Sequence, residues 1–190
     1  MYLFILAGLL FAKIKKYKIS YIFINIDFYP LFVIEAVHVF FQVLVFCGNY
    51  DYVKYAPYIH KASMLSLLLP IILRKLHIQA LVGSGFVFFG TLLNKVCIKA
   101  NGGYMPVYPT LSKLTGYFRE GDLSKGYDNL HIAFSGTTKL DFLSDYIDTG
   151  VFIMSIGDLF IYSFIVIVVY YAVKGMNFET IREDANHACS

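Results

Sequence analysis

The sequence predicts an all-α integral membrane protein, a bundle of about five transmembrane helices with an extracytoplasmic cap of short helices between the last two. The 190 residues are 58% apolar and only 15% charged, and the mean hydropathy is +0.62. A soluble domain of this size would expose large apolar patches. The Lys and Arg residues lie at the ends of apolar segments, which is typical of membrane orientation and not of nucleic-acid binding.

The first predicted helix covers residues 1–17 and ends in a basic turn containing Lys13, Lys15, Lys16 and Lys18. Positive charge that follows the apolar stretch is the reverse of a secretory signal, so we expect this helix to be retained. Its twelve apolar residues reach only about 18 Å as a helix, against a hydrocarbon core of about 30 Å. Whether it spans fully is therefore left open.

Four further helices follow from apolar runs of sufficient length. They are predicted near residues 31–47, 58–73, 78–96 and 151–173. Pro70 is expected to kink the third helix in its last turn. Neighbouring helices can approach the fourth helix closely, because it carries the small residues Gly83, Ser84, Gly85 and Gly90.

The predicted organisation is one polytopic domain, 1–175, with an outer cap at 97–150 and a cytoplasmic, poorly ordered tail at 176–190. If the Lys13–Lys18 turn is cytoplasmic, the short flanks carry seven Lys or Arg residues inside and four outside. This places the N-terminus outside and the C-terminus inside. Leu111, Leu114 and Phe118 recur at helical spacing and predict a short amphipathic helix in the cap.

Polar side chains inside apolar segments are the first candidates for function. Glu35, His38 and Gln42 share one face of the second helix, and Asp158 lies near the start of the fifth. Intramembrane ionisable groups are costly and point into the bundle, so they fit a chain of titratable groups across the membrane. Interhelical hydrogen bonding is the structural alternative. Glu-x-x-His also resembles half of a di-metal motif, but no second copy exists and no metal site is predicted.

A second candidate region begins at Asn101-Gly102-Gly103-Tyr104-Met105-Pro106. Asn and Gly accept left-handed backbone conformations and Pro prevents the helix from resuming, so the block predicts a helix end. The alternative interpretation is functional: the backbone N–H groups freed at the helix end form a concavity that binds an anion. His131, Ser135 and Asp145 occur in the same outer segment without a nucleophile motif. No motif for a cofactor is found, and whether Cys47 and Cys97 pair stays open.

The sequence resembles a family of small bacterial polytopic membrane proteins known only as a domain of unknown function. The resemblance rests on the Lys13–Lys18 turn, the Asn101-Gly102-Gly103-x-Met105-Pro106-Val107 block, His131, Leu140-x-x-Leu143-x-Asp145 and Ser155-Ile156-Gly157-Asp158. It covers the chain to about residue 173. Glu35 and His38 match no motif of the family. The resemblance implies a bacterial cytoplasmic membrane protein and supplies no mechanism.

The leading functional hypothesis is a non-enzymatic membrane subunit that binds a small molecule, a lipid or a partner protein at the outer mouth of the bundle. Its expected partners are the lipid bilayer and other membrane subunits or further copies of the chain, with no cofactor and no nucleic acid. The predicted binding residues are Asn101, Gly102, Met105, Pro106, Asp145, Ser155 and Asp158. One alternative is a small proton- or cation-coupled transporter using Glu35, His38 and Asp158. A weaker alternative is an enzyme on a lipid-linked substrate, with His131, Asp145 and Asp158 as acid–base groups.

Overall fold

A computed structural model describes residues 1–119 and 130–188 of the protein, with side chains described as far as residue 181. The part of the predicted cap at 120–129 and the last two residues of the predicted tail therefore lie outside the described residues. The described chain is mostly helical. Its helices are α1 (Tyr2–Ile14), α2 (Tyr21–Ile24), α3 (Tyr29–Phe46), α4 (Ala56–Ser66), α5 (Leu68–Leu73), α6 (His77–Ala100), α7 (Leu111–Thr115) and α8 (Ile156–Ala188).

Four helical stretches of the described residues are long and apolar enough to cross a membrane. They are Ile26–Phe46, Val53–Leu73, His77–Ala100 and Ile156–Ile181. Helix α1, with 13 residues, falls below the length of about 17 that a span needs. Large apolar side chains along α6 are exposed, Ile78, Leu81 and Phe88 among them. These apolar helices are compatible with a membrane protein, since lipid is the solvent that tolerates such a surface.

Two predicted local features are present. The stretch Val53–Leu73, which contains the third predicted helix, is interrupted at Leu67, between α4 and α5. The cause is Pro70, which has no N–H to bond to the carbonyl of Ser66. Helix α6 ends at Ala100, and Gly102 and Gly103 follow with φ of +68° and +100°. Positive φ angles are energetically unfavourable for a residue with a Cβ atom but not for glycine.

Two expectations about helix ends were wrong. The last helix begins at Ile156 and not at Val151, because Ile153–Met154 form a strand. The same helix continues through Ala188, beyond the predicted end at residue 173. Asn177 explains part of this extension, since its side chain accepts a hydrogen bond from the Lys18 backbone N–H and donates to the Lys18 carbonyl.

The chain forms two compact units. The first contains residues 1–36, 59–85 and 162–190. Its centre is the fully buried face of α8, formed by Ile165, Val168, Val169, Ala172 and Val173. Gly8 of α1 packs against Val169 so closely that a Cβ there would lie 3.0 Å from the valine side chain. At one end of this unit the Arg74 guanidinium holds the buried Asp27 carboxylate with two hydrogen bonds and Glu179 with a third.

The second unit contains residues 37–58 and 86–161. It includes strands that the sequence did not predict: β1 (Met105–Val107), β2 (His131–Ala133), β3 (Ile147–Asp148) and β4 (Ile153–Met154). Strands β1 and β2 are parallel, with Met105 opposite His131, whereas β3 and β4 form an antiparallel hairpin. Asp145 bridges to Val107 in the parallel sense. The segment expected to form short helices thus also contains paired strands, and strands of two or three residues are too short to show a period of their own in the sequence.

Candidate functional site

The Ser155-Ile156-Gly157-Asp158 block forms a capping box at the start of α8. Ser155 Oγ accepts a hydrogen bond from the Asp158 backbone N–H at 3.0 Å, and Asp158 Oδ2 accepts one from the Ser155 N–H at 3.0 Å. This reciprocal pairing satisfies two backbone donors that a helix start leaves open. The predicted binding residues Ser155 and Asp158 therefore have a local structural role.

A third residue, Asn94 of α6, links this cap to the neighbouring helix. The Asn94 Nδ2 group donates to Asp158 Oδ1, and Asn94 Oδ1 accepts from Ser155 Oγ, both at 2.8 Å. We call Asn94, Ser155 and Asp158 the polar clamp. Each Asp158 oxygen accepts one hydrogen bond within it, so the carboxylate retains acceptor capacity.

The polar clamp lies where α6 and α8 cross at two glycines. A Cβ on Gly157 would lie 2.7 Å from the Gly90 carbonyl oxygen and 2.7 Å from Asn94 Cγ. Distances below 3.0 Å essentially never occur for real Cβ atoms. Gly90 was predicted as a close-approach position, and the structure identifies its partner as Gly157.

Asn101 fastens the loop after α6 to a distant part of the same unit. Its Oδ1 accepts from the Lys139 backbone N–H and its Nδ2 donates to the Lys139 carbonyl, both at 2.8 Å. The same Nδ2 donates to the carbonyl of Cys97, one turn earlier. Gly102 has open space around its Cβ position, so its left-handed φ is what requires glycine.

Strand β1 is buried and lies just after α6. Met105 packs with Cys97 and Leu143 in a small apolar core, and Pro106 is fully buried. The Pro106 carbonyl accepts from the Asp145 N–H at 3.0 Å. These two predicted binding residues are therefore core residues.

Asp145 and His131 come together across β1. His131 Nε2 lies 3.2 Å from Asp145 Oδ2, with Asp145 buried and His131 partly exposed. Both residues were noted in the sequence, and the strand register explains their meeting. Ser135 Oγ instead bonds to Thr137 Oγ1 at 2.9 Å, which gives it a local turn partner.

Asp148 anchors α7, and sequence reasoning missed it. Its Oδ2 accepts hydrogen bonds from the backbone N–H groups of Thr110 and Ser112 and from Ser112 Oγ, while Oδ1 accepts from the Gly150 N–H. Burial alone raises the pKa of Asp148, but the hydrogen bonds from Ser112, Gly150 and Thr110 outweigh it and lower that pKa below its ordinary value.

This anchoring sets the orientation of α7, the short helix expected in this segment. Leu111 is 49% exposed and Leu114 is 84% exposed, whereas Ser112 is buried. Thr115 Oγ1 also donates to the Gly150 carbonyl. Polar groups, and not leucines, therefore hold this helix in place.

The polar residues Glu35, His38 and Gln42 of the apolar helix α3 are all buried. Glu35, in the first unit, accepts a hydrogen bond from Ser63 Oγ at 2.9 Å, and its other oxygen lies 3.8 Å from the Met1 amino group. Gln42, in the second unit, donates to the Val151 carbonyl at 3.5 Å. The partner of Glu35 is Ser63, and the partner of Asp158 is Asn94. Both partners are polar residues within apolar segments, and this was the available sequence signal for them.

Cysteines and metal ligands complete the inventory of reactive groups. Cys47 is exposed, Cys97 is buried, and both are free thiols. Within residues 1–119 and 130–181, no cluster of three His, Cys, Asp or Glu side chains has the proximity that would hold a metal ion.

Comparison with known proteins shows the family of this chain. No curated protein and no solved structure matches the sequence significantly. The family DUF5317, described as a family of unknown function, matches residues 4–170, which is most of the chain and agrees with the resemblance seen in the sequence. The protein therefore belongs to the DUF5317 family of unknown function.

Proposed function

We propose that this protein is a non-enzymatic, multi-pass subunit of the bacterial cytoplasmic membrane whose outer segment, 97–150, binds a partner protein. In this proposal α1 is a fifth membrane helix, the N-terminus is outside and the C-terminus inside. The described parts of this segment, 97–119 and 130–150, act as a rigid platform. The partner is another membrane subunit or a second copy of the chain.

The predicted binding residues support this proposal as positioning groups. Asn101 joins the end of α6 to Lys139, Asp145 joins β1 to β2 through His131, and the polar clamp joins α6 to α8. Each of these side chains already has polar partners inside the protein. We therefore place the contact surface on neighbouring exposed groups and assign rigidity to these residues.

The observation that carries the proposal is an exposed aromatic pair on the platform. The rings of Tyr108 and Phe134 meet edge to face with centroids 5.3 Å apart. They remain 50% and 37% exposed, respectively, although Tyr108 directly follows the buried strand β1 and Phe134 follows its partner β2. Tyr and Phe are enriched in protein interfaces, because they bury much apolar area at small entropic cost.

The experiment places a photoreactive amino acid at Tyr108 in the full-length protein in its native membrane. We expect a protein adduct of one defined mass, and we expect Phe134→Ala to weaken it strongly because the ring pair is lost. The control position is Phe88, which is exposed on the apolar helix α6 and should give lipid adducts. No protein adduct at Tyr108, or the same protein adduct at Phe88, would refute the proposal.

The buried Glu35 favours a second candidate function, proton- or cation-coupled transport. Its carboxylate is only 6% exposed on an apolar helix and receives a hydrogen bond from Ser63, and such groups often mark ion pathways. Transport predicts pH-dependent flux in reconstituted vesicles that Glu35→Gln abolishes and Ser63→Ala weakens. Vesicles with wild-type protein that show no flux above empty ones would remove this candidate.

A further inference from the structure

An open apolar groove runs along α1 and α8 in the first unit. It encloses a volume of about 250 Å³. Its walls are the side chains of Phe11, Ile14, Val166 and Ile167, and its rim is formed by Lys15, Tyr170 and Tyr171. The groove is smaller than a typical drug-sized site of about 300–1,000 Å³, and its almost wholly apolar lining suits part of one hydrocarbon chain.

The two helices run in the same direction, so the groove has an apolar end and a polar end. Phe4 contacts Tyr162 near the start of both helices, and Tyr17 contacts Tyr170 and Phe178 further along. Lys15 therefore lies at the same end as the two tyrosines. Tyr and Lys at the end of an apolar helix are typical of the membrane–water interface.

The polar end carries excess positive charge. Lys174 Nζ lies 5.6 Å from the centre of the Tyr171 ring, beside the rim. Lys13, Lys16 and Lys18 belong to the same turn as Lys15 and are exposed. In the described part of the chain, neither Lys15 nor Lys174 forms an ion pair with a carboxylate. The acidic neighbours Asp27 and Glu179 are instead bound by Arg74.

We propose that this groove is a binding site for an anionic phospholipid. One acyl chain lies against Phe11, Ile14 and Val166, and the phosphate lies at the rim between Lys15 and Lys174. A neutral wall below a cationic rim matches the two parts of such a lipid, and the Tyr170 and Tyr171 hydroxyls add hydrogen-bond donors. Lysines near an anionic lipid surface contribute favourably to binding. This site is independent of the outer platform.

The test measures lipid binding to the purified full-length protein in neutral detergent by native mass spectrometry. Phosphatidylglycerol and phosphatidylcholine with the same acyl chains are the two probes. We expect wild-type protein to prefer phosphatidylglycerol, and the double variant Lys15→Gln/Lys174→Gln to lose about thirtyfold in that affinity, as removal of two interfacial charges implies. Inorganic phosphate added in excess should not compete, since it lacks the acyl chain.

The matched control is Lys95→Gln/Lys99→Gln, which removes the same charge from two exposed lysines of α6. It should bind phosphatidylglycerol as the wild type does. A second variant, Val166→Trp, fills the groove without altering charge and should weaken binding of the same lipid. Equal binding of both lipids, equal losses in the two lysine pairs, or unchanged binding in Val166→Trp would each overturn the proposal.

Discussion

Replacement of Gly157 by Ala tests the account of the polar clamp most directly. A methyl group at this position would lie 2.7 Å from both the Gly90 carbonyl oxygen and Asn94 Cγ, below the 3.0 Å limit of real Cβ contacts. The backbone contact requires α6 and α8 to separate by at least 0.3 Å, the difference between those two distances. The Asn94 side chain must also move away, because its amide occupies the space that the methyl group needs.

The expected loss of stability in Gly157→Ala follows from the hydrogen bonds that Asn94 makes. Its displacement breaks the 2.8 Å hydrogen bonds to Asp158 and from Ser155. Each contributes about 0.5–1.5 kcal/mol net, and leaving the Asp158 oxygen poorly satisfied adds about 1–3 kcal/mol. Alanine favours the helix by up to about 1 kcal/mol over glycine. We therefore expect a loss of about 2–4 kcal/mol in the free energy of unfolding.

The measurement is unfolding by SDS in mixed micelles, followed by far-ultraviolet circular dichroism. Gly175→Ala is the matched control on the same helix, because a Cβ at Gly175 meets nothing within 4 Å. It should be neutral or stabilising. Asn94→Ala should cost much less in the Gly157→Ala background than in the wild type, since the same bonds are already lost. If Gly157→Ala were as stable as Gly175→Ala, the close crossing and the clamp would both be refuted.

Two further predictions concern one charged group in each of the two units. Asp148→Asn should lower stability by about 1 kcal/mol at pH 7, as loss of a helix cap does; because the folded pKa of Asp148 is lowered, the wild-type advantage should vanish as pH falls below about 4. Equal pH profiles for the two proteins in thermal unfolding would contradict the anchoring role. Arg74→Lys keeps the charge but cannot pair with both oxygens of buried Asp27, so a loss of about 2 kcal/mol is expected in the same SDS assay. Lys75→Gln in the same turn serves as control, and similar stability of both variants would show that the two-bond geometry contributes nothing.

Features governed by neighbouring residues were predictable. The break at Leu67 follows from Pro70, and the end of α6 follows from Gly102 and Gly103. The four long apolar helices follow from hydropathy and length. In each case the physical cause lies within one turn of the residue concerned, or in the solvent that the whole segment requires.

Features that join distant segments were missed or misread. Leu111 and Leu114 have the spacing of an inward face, yet Ser112 is buried because Asp148, 36 residues later, accepts its hydrogen bonds. The continuation of α8 past residue 173 was not predicted, and there Asn177 bonds to Lys18 near the other end of the chain. Neither partner is visible in a sequence window.

The Asn-Gly-Gly and Ser-Ile-Gly-Asp blocks illustrate the difference between features that depend on neighbouring residues and features that depend on distant ones. The sequence by itself determined that one ends a helix and that the other lies at the start of the last apolar helix, because backbone conformation and hydropathy are local properties. Only the tertiary structure decided that Asn101 is bonded to Lys139 and Asp158 to Asn94. A side-chain amide or carboxylate can accept a ligand or a neighbouring residue equally well. Which one it meets depends on the distant segments that packing brings beside it.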